Sequence, residues 1–135
     1  MVDSKDRELE SALELNRRIL EAMPGGVVHV RADGSIATAN TEALRVLGLA
    51  YDELTQRYTV DFETQTIHED GSPCSNEHYP VTQALLTGKT QAPHTIGVRR
   101  PDGEISWAVF RAVPVLDTAT GAVTSAVVTF IDISE

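Results

Sequence analysis

Three residues of metal-binding type stand close together in the middle of the chain. His68, Cys74 and His78 are separated by five and three residues, beside Glu69, Asp70 and Glu77. Imidazoles with a thiolate are zinc chemistry, but this spacing matches no strong zinc motif. A mobile polar loop explains the same residues, so no metal is expected. A different use follows if residues 77–87 are helical. His78, Thr82 and Leu85, at i, i+4 and i+7, then share one face, and His94 shares a strand face with Ile96 and Val98. Two histidines turned into one cavity would bind an anion or hydrogen-bond a polar ligand. The plainer reading leaves His78 on the surface near a helix start and His94 on an edge strand.

Catalysis finds no frame. Ser72 sits beside a glycine turn without the G-x-S-x-G pattern of a nucleophile elbow. There is no glycine-rich phosphate loop and no H-E-x-x-H pair. The carboxylates are scattered as solvating charge, so an enzyme is not expected.

The elements that would position these residues are legible in the patterning. Leu9, Leu13, Asn16, Leu20 and Met23 recur at spacings of four, three, four and three. They mark an amphipathic helix over 4–23 with a heptad-like seam, stopped by Pro24-Gly25-Gly26. The helix either docks on its own domain or pairs with a second copy. Val27–Val30 and Ile36–Ala39 flank Asp33-Gly34, a hairpin signal. Asn40 or Thr41 caps a short helix ending at Gly48, and Tyr51–Leu54 adds a helical turn. Residues 55–77 show no period and read as loop. After the 77–87 helix come strands over about 91–99, 104–115 and 122–132, the first two joined at Pro101-Asp102-Gly103. Pro93 puts the first of these near an edge or at a bulge. The pattern is α+β, an antiparallel sheet with helices on one face.

The chain has 135 residues, 41% of them hydrophobic, enough for one domain with a core. A net charge of -9 opposes nucleic acid and anionic membrane surfaces. The lone Cys74 permits no internal disulfide. No stretch has the length of a secretory core or a membrane span, so a cytoplasmic location is expected.

Several pieces resemble, in order and spacing, the PAS (Per-Arnt-Sim) family of sensory domains. They are Met23-Pro24-Gly25-Gly26-Val27, Asp33-Gly34-Ser35-Ile36 with Asn40, Leu47-Gly48 and Asp70-Gly71-Ser72-Pro73. Tyr79-Pro80-Val81 with Ala84-Leu85 and Gly88, and Asp102-Gly103-Glu104 with Trp107, continue the series. Pro114–Asp117, Gly121 and Asp132-Ile133-Ser134 close it. The resemblance covers residues 24–134 and divides the chain into a flanking or dimerisation helix, 1–23, and a PAS domain, 24–135. It implies five antiparallel strands in the order 2-1-5-4-3, a ligand pocket between sheet and helices, and fusion to an output domain such as a histidine kinase or a diguanylate cyclase.

Strand alternation and the family register assign the side chains. Val28, Val30, Leu47, His78, Thr82, Leu85, His94, Ile96, Val98, Ala108, Phe110, Ala126, Val128 and Phe130 would face the pocket, the small ones leaving room for a ligand. Trp107, Val109, Val127 and Ile131 form an opposite apolar face, a docking surface for the Leu9, Leu13 and Leu20 seam of a helix. Burying that patch would stabilise a contact by roughly 5–10 kcal/mol before ordering costs. The chain is thus read as a sensor in two-component signalling, a homodimer that binds an unidentified small molecule. Alternatives are a ligand-free interaction module, or a haem- or metal-binding redox sensor using a histidine. Flavin photochemistry in the family needs an Asn-Cys-Arg-Phe-Leu-Gln-like segment, whereas Cys74 lies in Ser-Pro-Cys-Ser-Asn. Neither haem nor flavin is expected. Asp132-Ile133-Ser134 looks like the junction through which the response leaves.

Overall fold

The computed structural model describes residues 4–134, so the outermost ends of the 1–23 and 24–135 divisions lie outside the described residues. Helix α1 spans Ser4–Ala22 and gives way at Pro24 to β1, Gly26–Arg31, and β2, Ile36–Ala39. Gly34 at the hairpin tip has φ 89°, a conformation that favours glycine. Helix α2, Thr41–Leu47, is capped by Asn40 and closed by Gly48 in the left-handed region at φ 70°. Helix α3, Tyr51–Leu54, and a 3-10 helix over Thr59–Gln65 lead to β3, Thr66–Ile67. A 3-10 turn, Asn76–His78, precedes α4, Pro80–Thr87. Strands β4, Gln91–Arg99, β5, Ile105–Leu116, and β6, Val123–Asp132, complete the chain.

The sheet is antiparallel with six strands, in the order β2-β1-β6-β5-β4-β3. This corrects the expected five. The added strand is the β-branched pair Thr66 and Ile67, bonded to Val98 and Gly97 on the outer side of β4. Two residues are too few to show a period. The other strands follow the expected neighbours. The ladder shifts register between Gln91 and His94, so Pro93 sits at a bulge where its missing N–H costs no bond.

Helix α4 packs on β4, β5 and β6. Ala84 of α4 and Ala108, Ala112 and Ala126 of the sheet are all completely buried. The small residues therefore admit the helix close to the sheet, rather than leaving space for a ligand. Below it Phe110 and Phe130 stack with ring centroids 4.7 Å apart.

Helix α1 does not cover the sheet. Leu9, Leu13, Leu15 and Ile19 are at least half exposed. It is held at its end by Asn40, whose carboxamide donates to the Leu20 carbonyl at 2.8 Å and the Gly25 carbonyl at 3.0 Å. The Asn40 oxygen accepts from Val27 N at 2.9 Å and Ala43 N at 3.0 Å. Every hydrogen-bonding site on this buried side chain is used, as burial of a polar group demands.

Candidate functional site

A cavity of about 80 Å³ lies between the sheet and the helical layer. Val28, Val30, Leu47, Ile96, Val98, Phe110 and Val128 line it, all among the expected pocket residues. The rest of the wall is Ile36, Thr59, Phe62, Thr66, Tyr79, Pro80 and Val81. Most of these lie in or beside the segment without sequence period. The Tyr79-Pro80 pair was the available signal, since a proline at a helix start fixes the entry of the chain.

The wall is apolar in its chemistry. Tyr79, Thr66 and Thr59 have hydroxyls, and those of Tyr79 and Thr66 are hydrogen-bonded to each other. Thr66 Oγ1 also donates to the Cys74 carbonyl at 2.8 Å. Burial pushes the Tyr79 hydroxyl up to about 12, against the bond to Thr66, which acts to lower it. A space of about 150 Å³ lined by apolar side chains holds a benzene-sized molecule. The cavity here takes a smaller fragment, and anything larger must displace the helical layer.

Three expected lining residues are in the core instead. Ala108 and Ala126 sit fully buried against the helical layer, and the buried Phe130 packs against Phe110. The expectation for His78, Thr82 and Leu85 is corrected more sharply. Tyr79 precedes a proline and is extended, with φ −71° and ψ 136°, because the proline ring disfavours helical backbone before it. His78 is therefore not on α4, and it is exposed. Thr82 bonds Asn76 Oδ1 at 3.1 Å. With Leu85 it lines a separate groove beside Tyr58 and Val60.

His94 is not in the cavity wall either. Its Nε2 lies 3.4 Å from His68 Nδ1, and the two rings meet edge to face with centroids 5.4 Å apart. Cys74 Sγ completes a set of three ligand atoms that all lie within 4.8 Å of one another. Sequence spacing grouped His78 with this cysteine. Folding substitutes His94, from a strand that sequence distance hides.

On the opposite face, the Trp107 ring lies across Gly97, where a Cβ would come within 3.0 Å of it. Val109 and Val127 are half-buried, while Ile131, Val113 and Ile133 are exposed. Of the seam residues, Leu9 and Leu13 are exposed and Leu20 is half-buried. None of these covers the apolar face in this chain.

The chain end is tied back to the sheet. Ile133 N donates to the Trp107 carbonyl at 2.8 Å, and Trp107 N to Ser134 Oγ at 2.7 Å. Asp132 accepts from Arg45 of α2 at 2.8 Å, and Arg45 also bonds Glu42. Burial acts to raise the Asp132 carboxyl, but the bonds from Arg45 and Ser134 outweigh it and hold it below the usual range.

Solved structures with the same architecture include PAS domains at low sequence identity. The PAS domain of an HTR-like protein from Haloarcula marismortui superposes with TM-score 0.68 at 18% identity, over 96% of this chain and 98% of that one. A domain of a sensory box sensor histidine kinase/response regulator from Geobacter sulfurreducens gives 0.65 at 14% identity, over 92% and 96%. The PAS domain of nitrogen regulation protein NR(II) from Vibrio parahaemolyticus gives 0.64 at 14%, over 88% and 98%. No curated protein matches the chain in sequence. The sequence model of the PAS fold matches residues 14–133, the whole sheet and its helices. This chain belongs to the PAS fold family.

Proposed function

We propose that this chain is a non-catalytic sensory module. A small apolar molecule enters between sheet and helices, and its presence is relayed through the flanking ends to an output domain of the same protein. The observation that carries this reading is the cavity, with its aliphatic and aromatic wall and its Tyr79 and Thr66 hydroxyls bonded to each other. Such a wall favours an apolar ligand over an anion. No histidine lines it, so the haem reading has no ligand there.

Relay follows from differential binding. A molecule larger than the cavity favours packings in which the helical layer stands further from the sheet, and shifts the population toward them. Arg45 of α2 is bonded to Asp132, so movement of that layer reaches the chain end directly. The relatives named above include a sensor histidine kinase, which makes a kinase of two-component type one fitting output and a diguanylate cyclase another. The protein would work in the cytoplasm, as a homodimer through α1 and the outer sheet face.

Mass spectrometry of the purified domain, native and then denatured, tests the reading. A released apolar molecule, lost in Val128→Phe while the fold persists by circular dichroism, is the expected result. No bound molecule, no binder in a screen of small apolar compounds, and unchanged signalling in Val128→Phe would leave a ligand-free interaction module. That second reading is favoured by the exposed Leu9, Leu13 and Ile131.

A further inference from the structure

We propose that His68, Cys74 and His94 form a binding site for one thiophilic transition-metal ion, of which Zn²⁺ is the fitting case. The three donors come from separate positions that the β3–β4 pairing brings together. His68 follows β3 directly, and its backbone N–H donates to the Ser72 carbonyl at 2.8 Å across a tight turn. That turn returns the chain so that Cys74 N donates to the Thr66 carbonyl at 3.0 Å. His94 stands on β4, the strand that pairs with β3.

The distances suit a metal better than they suit the polar groups alone. Two imidazole nitrogens on one tetrahedral zinc, each at about 2.0–2.1 Å, lie about 3.3 Å apart. The His68 and His94 nitrogens are already at 3.4 Å. A thiolate sulfur at about 2.3 Å from the ion sits about 3.6 Å from each nitrogen. The greatest separation here is 4.8 Å, which leaves a closure of about 1 Å, within reach of small rotations of the rings. Cys74 Sγ makes only a long contact, 4.0 Å to the Ser75 carbonyl, so its lone pairs are unclaimed. The side chain is wholly buried, which shields a metal–sulfur bond from solvent.

The donor set selects the ion. Two imidazoles and one sulfur exclude Mg²⁺ and Ca²⁺, which require oxygen. Three protein ligands leave the fourth tetrahedral position to water or an incoming ligand. His78 is not counted, because it is exposed, its nitrogens are not among the clustered ligand atoms, and its Nδ1 faces Ser75 Oγ at 3.2 Å. On binding, the thiol releases its proton to solvent, so uptake falls with falling pH. The site does not depend on the apolar cavity. Thr66 nevertheless joins them, since its hydroxyl holds both the Cys74 backbone and the Tyr79 hydroxyl.

The test titrates the metal-stripped protein with Co²⁺ and with Zn²⁺. The expected result is one ion per chain, with a sulfur-to-cobalt charge-transfer band that Zn²⁺ bleaches. Cys74→Ser should abolish the band, and His94→Gln should weaken Zn²⁺ binding at least about tenfold, while His78→Ala changes neither. If Cys74→Ser fails to fold, His68→Gln and His94→Gln decide, both being only half-buried. No charge-transfer band at one equivalent, or Zn²⁺ binding that survives His94→Gln and is lost in His78→Ala, would overturn the proposal.

Discussion

The side-chain amide of Asn40 donates to the backbone carbonyl of Leu20, joining α1 to the domain from a buried position at the start of α2. The same carboxamide caps α2 and holds the first residues of β1. Asn40→Ala removes a helix cap and strands buried partners, a loss of about 2–4 kcal/mol in chemical denaturation. Asn40→Asp keeps the acceptor toward Ala43 but sets a carboxylate against the Leu20 and Gly25 carbonyls. It should free the C-terminal turn of α1 and speed amide hydrogen exchange around Leu20, with α2 still protected. Equal exchange in both proteins would disprove the coupling.

A similar close fit joins Gly26 and Phe130. A Cβ on Gly26 would stand 2.6 Å from Phe130 Cζ, in steric overlap with the ring. Gly26→Ala should therefore cost about 1–3 kcal/mol, and Phe130→Leu in the same chain should recover part of that loss. An additive double mutant, read by urea midpoints, would show that the ring is not what excludes the side chain.

Alkaline titration isolates the hydroxyl beside the cavity. Tyr79 is pushed up to about 12 by burial in the folded chain, against about 10 when unfolded. The folded pKa is the higher one, so its contribution to stability is complete below about pH 10 and is lost as pH rises toward about 12. The tyrosinate absorbance of the folded protein should show a late component that disappears in Tyr79→Phe. A wild-type curve identical to that of Tyr79→Phe, apart from amplitude, would contradict the burial.

Association should depend on the uncovered apolar residues. Leu13→Glu and Ile131→Glu, at positions 60% and 50% exposed, should each weaken a homodimer at least about tenfold, equivalent to about 1.4 kcal/mol. Leu86→Glu, on α4 and 74% exposed, is the control and should leave it intact. Sedimentation equilibrium reads all three. A dimer lost only in Leu86→Glu would move the interface to the other side of the molecule.

The parts of the fold set by local chemistry could be read from the sequence. Asp33-Gly34 and Asp102-Gly103 specify their turns because both glycines take positive φ. Asn40 and Gly48 bound α2 as expected. The alternation in β5 and β6 separated the buried Ala108, Ala112, Ala126 and Val128 from the outer Val109 and Ile131. Most cavity residues on regular strands were legible for the same reason, although Ile36 on β2 was missed. Thr59, Phe62 and Thr66 were not legible, because they come from a 3-10 helix and a two-residue strand, neither of which shows a readable period. His78 was placed on a helix that Pro80 starts two residues later. The meeting of His68 with His94 depends on β3 pairing with β4, a contact across the chain that no local spacing records.

The two outermost strands are short: β2 has four residues and β3 only two. Beyond β3 the outer side of β4 carries the bulge and Pro93, which offers no N–H. Neither border of the sheet presents a long, flat row of free donors and acceptors. Growth by strand addition is thereby discouraged, whether by a second copy or in a fibril. The outer sheet face can remain apolar and accessible without an open sheet border beside it that invites uncontrolled polymerisation.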